Sequence, residues 1–412
     1  MDKRRLRFGS QNPRREDEEL PTPAAGMGRQ RETYGRTRVV HLTTVHRPFD
    51  PRIFHKQLVS LREAGFDTHL IAPHGAAEQR NGVTIHPLPT GRRDWHARIG
   101  LHPLAYRRAR ALDADLYQIH DPELLPVAKL LKTMTEARVV YDMHEEYRAK
   151  GPVWGRVLRA LERWAFRWLD HVILAERSYR SIVRDESVPY TCILNYFRPF
   201  EENAPPTRSE TTDATGPTRL LYTGTVSDSR GLQTMIDIAA AIRRHGRSER
   251  ISIVGVCNRP PQRTAAEARI RTHGLADIVT QVGWDTYVLP SDMGPYYRRA
   301  DVGLALCTPH PNLTGSLLTK FYEYLHHGLP IICSNFPLWR EFVEENDCGA
   351  VVPPGDPDAV LEVLDQWRER PERYRTCAQN ARSAASRYRW EKMGERLVRL
   401  YRDLLARREP AQ

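Results

Sequence analysis

From residue 38 onward, short apolar runs alternate with amphipathic stretches. Val39–Thr43, Thr68–Ala72, Leu116–His120, Val139–Met143, His171–Leu174 and Thr191–Leu194 are apolar runs of strand length and predict buried strands. Between them the spacing is helical: Phe54, Leu58 and Leu61 recur at i, i+4 and i+7. Such alternation predicts parallel strands joined by crossover helices. The stretch 201–218 is polar, carries three prolines and reads as an interdomain linker. The alternation then restarts, with strands predicted at Leu220–Thr223, Ile251–Gly255, Ile278–Val282, Val302–Leu306 and Ile331–Ser334. Helices are predicted near 231–244, 263–273, 290–299, 317–327, 336–345 and 357–370. At the end, Trp390, Met393, Leu397, Leu400 and Leu404 place a single apolar stripe on a helix over 389–408, and that stripe must bury itself on something already folded.

The predicted architecture is α/β: two Rossmann-like doubly wound domains, 37–200 and 219–388, whose strand C-termini face a shared cleft. Residues 1–36 mix arginine, proline and acidic residues without periodicity and predict a disordered tail, with Met27 as an alternative start. Residues 389–412 form the last helix and a tail.

Composition narrows the classes. The 412 residues suit two or three domains, and 40% hydrophobic with 27% charged residues excludes global disorder and a disulfide scaffold. No apolar run approaches the roughly 18 residues of a membrane span. A formal net charge of +11 admits an anionic partner (nucleic acid, acidic lipid or a phosphorylated substrate) without choosing among them. No RNA-binding or helix-turn-helix pattern supports nucleic acid. The six cysteines lack metal-ligand spacing; Cys257, Cys307 and Cys333 follow apolar runs and read as buried thiols. A reducing cytoplasm is expected.

Two segments carry chemistry. In 315–335, GSLLTKFYEYLHHGLPIICSN, Ser316 is the expected N-cap, and Lys320 and Glu323 are neighbours on the helix. A helix start with a lysine suits phosphate, and a carboxylate one turn deeper suits ribose hydroxyls; the alternative is a surface ion pair. In 220–231, LLYTGTVSDSRG, a strand runs into Thr223-Gly224-Thr225, and Arg230 opens a helix where its guanidinium can fork a phosphate. The alternative is an ordinary strand-turn-helix with a solvent-facing arginine.

With HRPFDPRIFHK, YQIHDPE, YDMHEEY and SNFPLWREFV, these segments make nearly the whole chain from about 38 to 406 resemble family 4 retaining glycosyltransferases, in the branch serving bacterial envelope and capsular polysaccharides. The resemblance implies the GT-B fold, acceptor on the first domain, a nucleotide-sugar, UDP- or GDP-linked, on the second, and a last helix crossing back to the first. It implies retention at the anomeric carbon, no cofactor and no bound metal. By position it gives Glu323 to ribose, Arg230 to the diphosphate, Lys320 to phosphate, and Gly224, Thr225, Ser316, Leu317, Leu318 and Glu341 to the donor. The family's first paired glutamate falls at Gly315, its basic residue after the loop glycine at Thr225, and its glycine-rich acceptor loop at 46–52. These departures keep a second reading open, a degenerate binder of nucleotide or glycan without turnover.

His120 and His144 close the strands 116–120 and 139–143 and are expected to face the cleft, orienting sugar or acceptor rather than forming a covalent intermediate. His46, Asp50 and Arg52 complete the expected acceptor side, although Asp50 suits a helix cap paired with Arg52 equally well. His144-Glu145 is not a zinc motif, because Arg148 stands where a second histidine is needed. Asp113-Ala114-Asp115 mimics a metal-binding DxD but sits at a helix-to-strand turn. On 154–169, Arg156, Arg159, Arg163 and Arg167 interleave with Trp154, Trp164 and Trp168, and Arg92, Arg93, Trp95, Arg98, Arg107 and Arg108 add charge nearby in sequence. That pattern suits an anionic membrane surface on the inner face or a domain helix with its aromatics in the core.

Overall fold

The computed structural model describes residues 37–91, 95–144, 152–199 and 218–406. The predicted tail, nearly all of the linker, Arg92, Arg93, Glu145 and Arg148 lie outside them. Strands β1 (Arg38–Leu42), β2 (Asp67–Pro73), β3 (Glu78–Arg80), β4 (Val83–Leu88), β5 (Leu116–Ile119), β6 (Arg138–Met143), β7 (His171–Leu174) and β8 (Tyr190–Cys192) form one sheet in the order β3-β4-β2-β1-β5-β6-β7-β8. Only the β3–β4 pair is antiparallel. Strands β9 (Arg219–Thr223), β10 (Arg250–Val254), β11 (Val279–Val282), β12 (Val302–Ala305), β13 (Ile331–Ser334) and β14 (Gly349–Val352) form a second, all-parallel sheet in the order β11-β10-β9-β12-β13-β14. Val39, Val40, Leu220 and Leu221 are buried at the centres of these sheets, as parallel strands covered by helices on both faces require.

Each sheet starts in its middle, at β1 or β9, and grows outward in both directions. The order therefore reverses between β1 and β5 and between β9 and β12, and ligands bind beyond the strand C-termini at such a switch point. The β3–β4 hairpin, β14 and the helix Pro371–Ala385 are elements the apolar periodicity does not announce. The helix is rich in alanine and arginine, and β3 is only three residues long.

Three features position the cleft. Asp50 caps the helix that starts at Pro51, accepting from the Arg52 and Ile53 amides at 2.8 and 3.0 Å. Its first turns, Pro51–Leu58, are wound wide, with the His55 amide reaching back to the Asp50 carbonyl, before Val59–Glu63 resumes α geometry. The wider turn brings Arg52, Lys56 and Gln57 inside together with Ile53, Phe54 and Leu58. The last helix, Trp390–Ala406, buries its stripe on Val39, Val140 and Ile173 of the first sheet and on Phe66 just before β2. Trp390 donates to Ser60 Oγ at 2.8 Å, and Tyr401 meets His41 at 3.0 Å. Finally, the chain leaves the first domain and returns to it side by side: Phe197 donates to the Tyr388 carbonyl and Trp390 to the Phe197 carbonyl, at 3.2 and 2.8 Å.

Candidate active site

A cavity of about 800 Å³ lies between the two sets of strand C-termini and is lined from both domains. On the second domain's wall the decisive element is the helix Thr319–His326. Tyr324 fixes its depth, since its hydroxyl donates to the Leu221 and Leu304 carbonyls, both at 3.1 Å, and so pins the helix on β9 and β12. That anchoring turns Lys320 and Glu323 toward the cavity. Lys320 is 3% exposed, and its ammonium has no hydrogen-bond partner among the described residues. It rests 3.5 Å from the centre of the Tyr222 ring. Burial brings it down to about 7, with the Arg230 charge acting in the same direction and Cys307 and Glu323 opposing. The alternative reading, an ion pair between Lys320 and Glu323, does not form among the described residues. Glu323 instead accepts from Tyr297 at 2.7 Å.

The loops around this pair need glycine. Gly231 has φ +84°, and a Cβ there would stand 1.9 Å from the Leu306 carbonyl oxygen. Gly255, at φ +141°, would collide in the same way with Gly224. These contacts draw the turns after β9 and β10 tightly together and hold Gly224, Thr225 and Arg230 on the cavity. The cap of the Thr319–His326 helix is Leu318, not the expected Ser316, and Leu318 has no side-chain acceptor. The Phe321 amide turns back to the Leu318 carbonyl at 3.0 Å, which leaves the Thr319 and Lys320 N–H groups ahead of it for an external anion.

The first domain's wall is built differently. Asp142 is fully buried and accepts from Arg52 Nε and Nη2, at 2.9 and 2.7 Å, and from Gln57 at 2.9 Å; it also meets His120 at 3.2 Å. Burial pushes its carboxyl up, but Arg52 and His120 outweigh this and hold it well below the usual range. His120 continues to His41 at 3.0 Å, and His41 to Tyr401. In front of this network, His144 and His46 meet at 2.9 Å, and His46 lies 3.6 Å from Asp50 and 3.5 Å from Asp121. His120, Asp142 and His144 offer ligand-type atoms within 4.8 Å of one another. Arg52 already neutralises Asp142, and its fixed charge disfavours a cation there.

The fold thus gathers Gly224, Thr225, Arg230, Ser316, Leu317, Leu318, Lys320 and Glu323 with His46, Asp50, Arg52 and His144 around one cavity. Two expectations are corrected. His120 is 0% exposed and does not line the cavity, because its ring turns back into the Asp142 network. Glu341 is exposed on the far side of the helix Pro337–Asn346, also outside the lining. Arg52 only edges the cavity, its fork spent on Asp142 and the Ile193 carbonyl. Asp50 caps its helix and pairs with His46 rather than Arg52. Asp113 takes a left-handed turn at a helix end, and Asp115 accepts the Arg38 amide at 2.8 Å, which is turn chemistry.

Sequence reasoning missed Lys56, Glu176, Tyr287 and Tyr297 in the lining. Lys56 bonds Asn195 at 2.6 Å, and burial brings it down to about 7. Arg47 reaches across the cleft to lie 4.6 Å over the Tyr287 ring. Away from the cleft, the helix Pro152–Phe166 leaves Trp154 45% and Trp164 38% exposed, beside exposed Val153, Val157 and Arg163. Those two aromatics are not in the core.

Residues 51–193 match the family model described as Glycosyl transferase 4-like domain, and residues 217–369 match that of Glycosyl transferases group 1. The chain belongs to the GT-B glycosyltransferases. A curated relative, the alpha-D-kanosaminyltransferase of Streptomyces kanamyceticus, is 24% identical over 186 residues, and the match spans 45% of each chain. Sucrose-phosphate synthase from Thermosynechococcus elongatus shares the fold at TM-score 0.72 with 17% identity, over 90% of this chain and all of that one. HepE of Anabaena, solved with UDP and glucose, shares it at TM-score 0.68 with 13% identity, over 89% of this chain and all of that one. Among the described residues no helix is long and apolar enough to cross a membrane.

Proposed function

We propose that this chain transfers a sugar from a nucleotide-diphosphate donor, UDP- or GDP-linked, to a glycan or lipid-linked acceptor, with retention and without a metal, in envelope polysaccharide synthesis. The observation that carries the reading is the buried Lys320 ammonium, unpartnered on the cavity and flanked by Arg230, Gly224 and an uncapped helix start. A buried cation costs free energy unless an anion meets it, and a diphosphate supplies that anion. Glu323, held by Tyr297 one turn deeper, takes the ribose hydroxyls. Lys320, Arg230 and the helix amides stabilise the charge on the departing diphosphate. With glycine at 315, the acceptor oxygen bonds the anomeric carbon on the face from which the diphosphate leaves, and the acceptor proton passes to a diphosphate oxygen. His144 and His46 orient the acceptor. HepE was solved with UDP-glucose, which supports the donor class.

The test is a thermal-shift panel of UDP, GDP, ADP, CMP and dTDP on wild type and Glu323→Ala. A ligand at a hundred times its Kd stabilises by about 2.7 kcal/mol. One nucleotide shifting wild type more than the variant is expected; no shift in wild type overturns the donor site. Gly315 and the outlying Glu341 favour a second reading, binding without turnover. Sugar release from the bound donor in the presence of acceptor separates the two.

The exposed Trp154, Trp164 and Val157 beside Arg156 and Arg163 suit peripheral docking on anionic lipid. Sedimentation with phosphatidylglycerol vesicles is expected to carry the chain down at low salt, and failure to do so removes the membrane from the proposal.

A further inference from the structure

Lys56 stands on the first domain's wall of the cleft, apart from the Asp142 network. The wide turn at Pro51–Leu58 carries it inside, where it is 6% exposed. Its ammonium donates twice to Asn195, to Oδ1 at 2.6 Å and to the main-chain carbonyl at 3.2 Å. Both acceptors are neutral, and an ammonium carries a third N–H. Among the described residues no carboxylate forms an ion pair with Lys56. Glu323 across the cleft and Asp50 at the cap of its own helix attract its charge without pairing with it. The two arginines of the same wall differ: Arg52 is matched by Asp142 at 2.7 Å and Arg198 by Glu63 at 2.5 Å. Lys56 therefore has hydrogen-bond partners but no counter-ion, and a buried charge without one costs free energy until an anion meets it. Asn195 adds a donor beside it. A lysine only donates, so the bond turns Oδ1 toward the ammonium, and Asn195 Nδ2 makes no hydrogen bond among the described residues.

We propose that Lys56 and Asn195 form an anion subsite on the acceptor side of the cleft, and that it takes a singly charged oxyanion carried by the acceptor, a carboxylate or a phosphodiester. The inference rests on the nucleotide-sugar reading above and adds to it the class of acceptor: an acidic sugar or a phosphodiester-linked one rather than a neutral glycan. One ammonium offers one positive charge. Burial pushes the Asp50 carboxyl up, but His46 and the Ile53 amide outweigh this and keep it ionised on the same wall. Its negative charge disfavours a second one on the ligand. Each wall thus brings one ammonium without a counter-ion to the cavity: Lys320 for the donor's phosphate and Lys56 for the acceptor's anion.

The test is the Kd of three probes by titration calorimetry at pH 6.5: phenyl β-glucuronide, which carries a carboxylate, glucosyl phenyl phosphate, a phosphodiester, and the neutral phenyl β-glucoside. Burial brings Lys56 down to about 7 against the pull of Glu323, so at pH 6.5 most molecules hold the charged form. Wild type, Lys56→Met and Asn195→Asp are each saturated first with UDP, or with GDP where UDP does not bind. Wild type is expected to bind one anionic probe at least about tenfold more tightly than the glucoside, the scale of a charge-assisted hydrogen bond, and the preferred probe names the source of the anion. Lys56→Met brings both anionic probes to the level of the glucoside. Asn195→Asp does the same while keeping the ammonium, because its carboxylate takes the anion's place; a lysine that merely packs the wall would leave the preference untouched there. The aspartate variant decides the matter should the methionine variant fold poorly. A wild type that binds the three probes alike, or a preference that survives in either variant, overturns the subsite and leaves the donor site standing. No binding of either nucleotide by any of the proteins overturns both.

Discussion

The two walls of the cleft are both polar and charged, but only one of them is satisfied. On the first domain's wall, Asp142 takes Arg52, Gln57 and His120, and His120 passes on to His41 and Tyr401, so that each group has a partner. On the second domain's wall, Lys320 has none, and the helix beside it begins without a side-chain cap. A saturated buried network specifies a structure, whereas an unsaturated one is complete only with a ligand. The difference assigns stability to one wall and binding to the other.

The sharpest way to break that contrast is Asp142→Ala. Removing the carboxylate strands Arg52 and the two histidines behind the cleft, and losing one partner of a buried pair costs about 3–5 kcal/mol. Urea unfolding should register that loss, while the fraction still folded binds UDP within about threefold of wild type. Full stability with collapsed UDP affinity would show that the first wall belongs to the binding machinery after all. The complementary change is Arg230→Ala. It should lower turnover by about a hundredfold or more, the scale for removing one charge-stabilising donor, and leave the urea midpoint unchanged. Glu323→Ala comes next, with UDP affinity lowered by about tenfold, or roughly 1.4 kcal/mol, and little change in unfolding.

The sequence made the second wall legible and the first one deceptive, for a physical reason. Lys320, Glu323 and Arg230 sit at helix starts and strand ends, where spacing fixes direction: residues three apart on a helix share a face, and the glycine turn after β9 leaves one place for Arg230. His120 and His144 also sit at strand ends and look equivalent in sequence. Their difference comes from partners distant in the chain, Asp142 behind the one and His46 in front of the other, and no local pattern contains that. Lys56 and Gln57 were hidden by the wide turn at Pro51–Leu58, which turns polar positions inward that a regular helix would turn out. Glu176 reads in sequence as a surface acid after a strand, and only the approach of the second domain makes it part of a cavity wall. The β3–β4 hairpin and β14 sit toward sheet edges and are only partly buried, so they lack the continuous apolar run that marks the central strands.

Lys320→Met gives the most discriminating effect, because stability and binding should move in opposite directions. Folding lowers the lysine from its usual 10.5 to about 7, so the unfolded chain holds the proton more tightly than the folded one. The cost to the ligand-free fold is therefore full below about pH 7, shrinks as pH rises and is gone above about 10.5. Methionine keeps the stem and its contact with the Tyr222 ring and removes the charge. The variant should gain stability at pH 6.5, and the gain should shrink steadily toward pH 10.5, read from urea midpoints. Its UDP affinity should fall over the same range, most at low pH, where the wild-type ammonium is charged. A loss of stability at every pH would place Lys320 with Asp142 as a structural residue. A gain in stability together with a loss of affinity is what a cation held ready for an absent anion must produce, since the free energy that folding gives up at Lys320 is recovered only when a phosphate arrives.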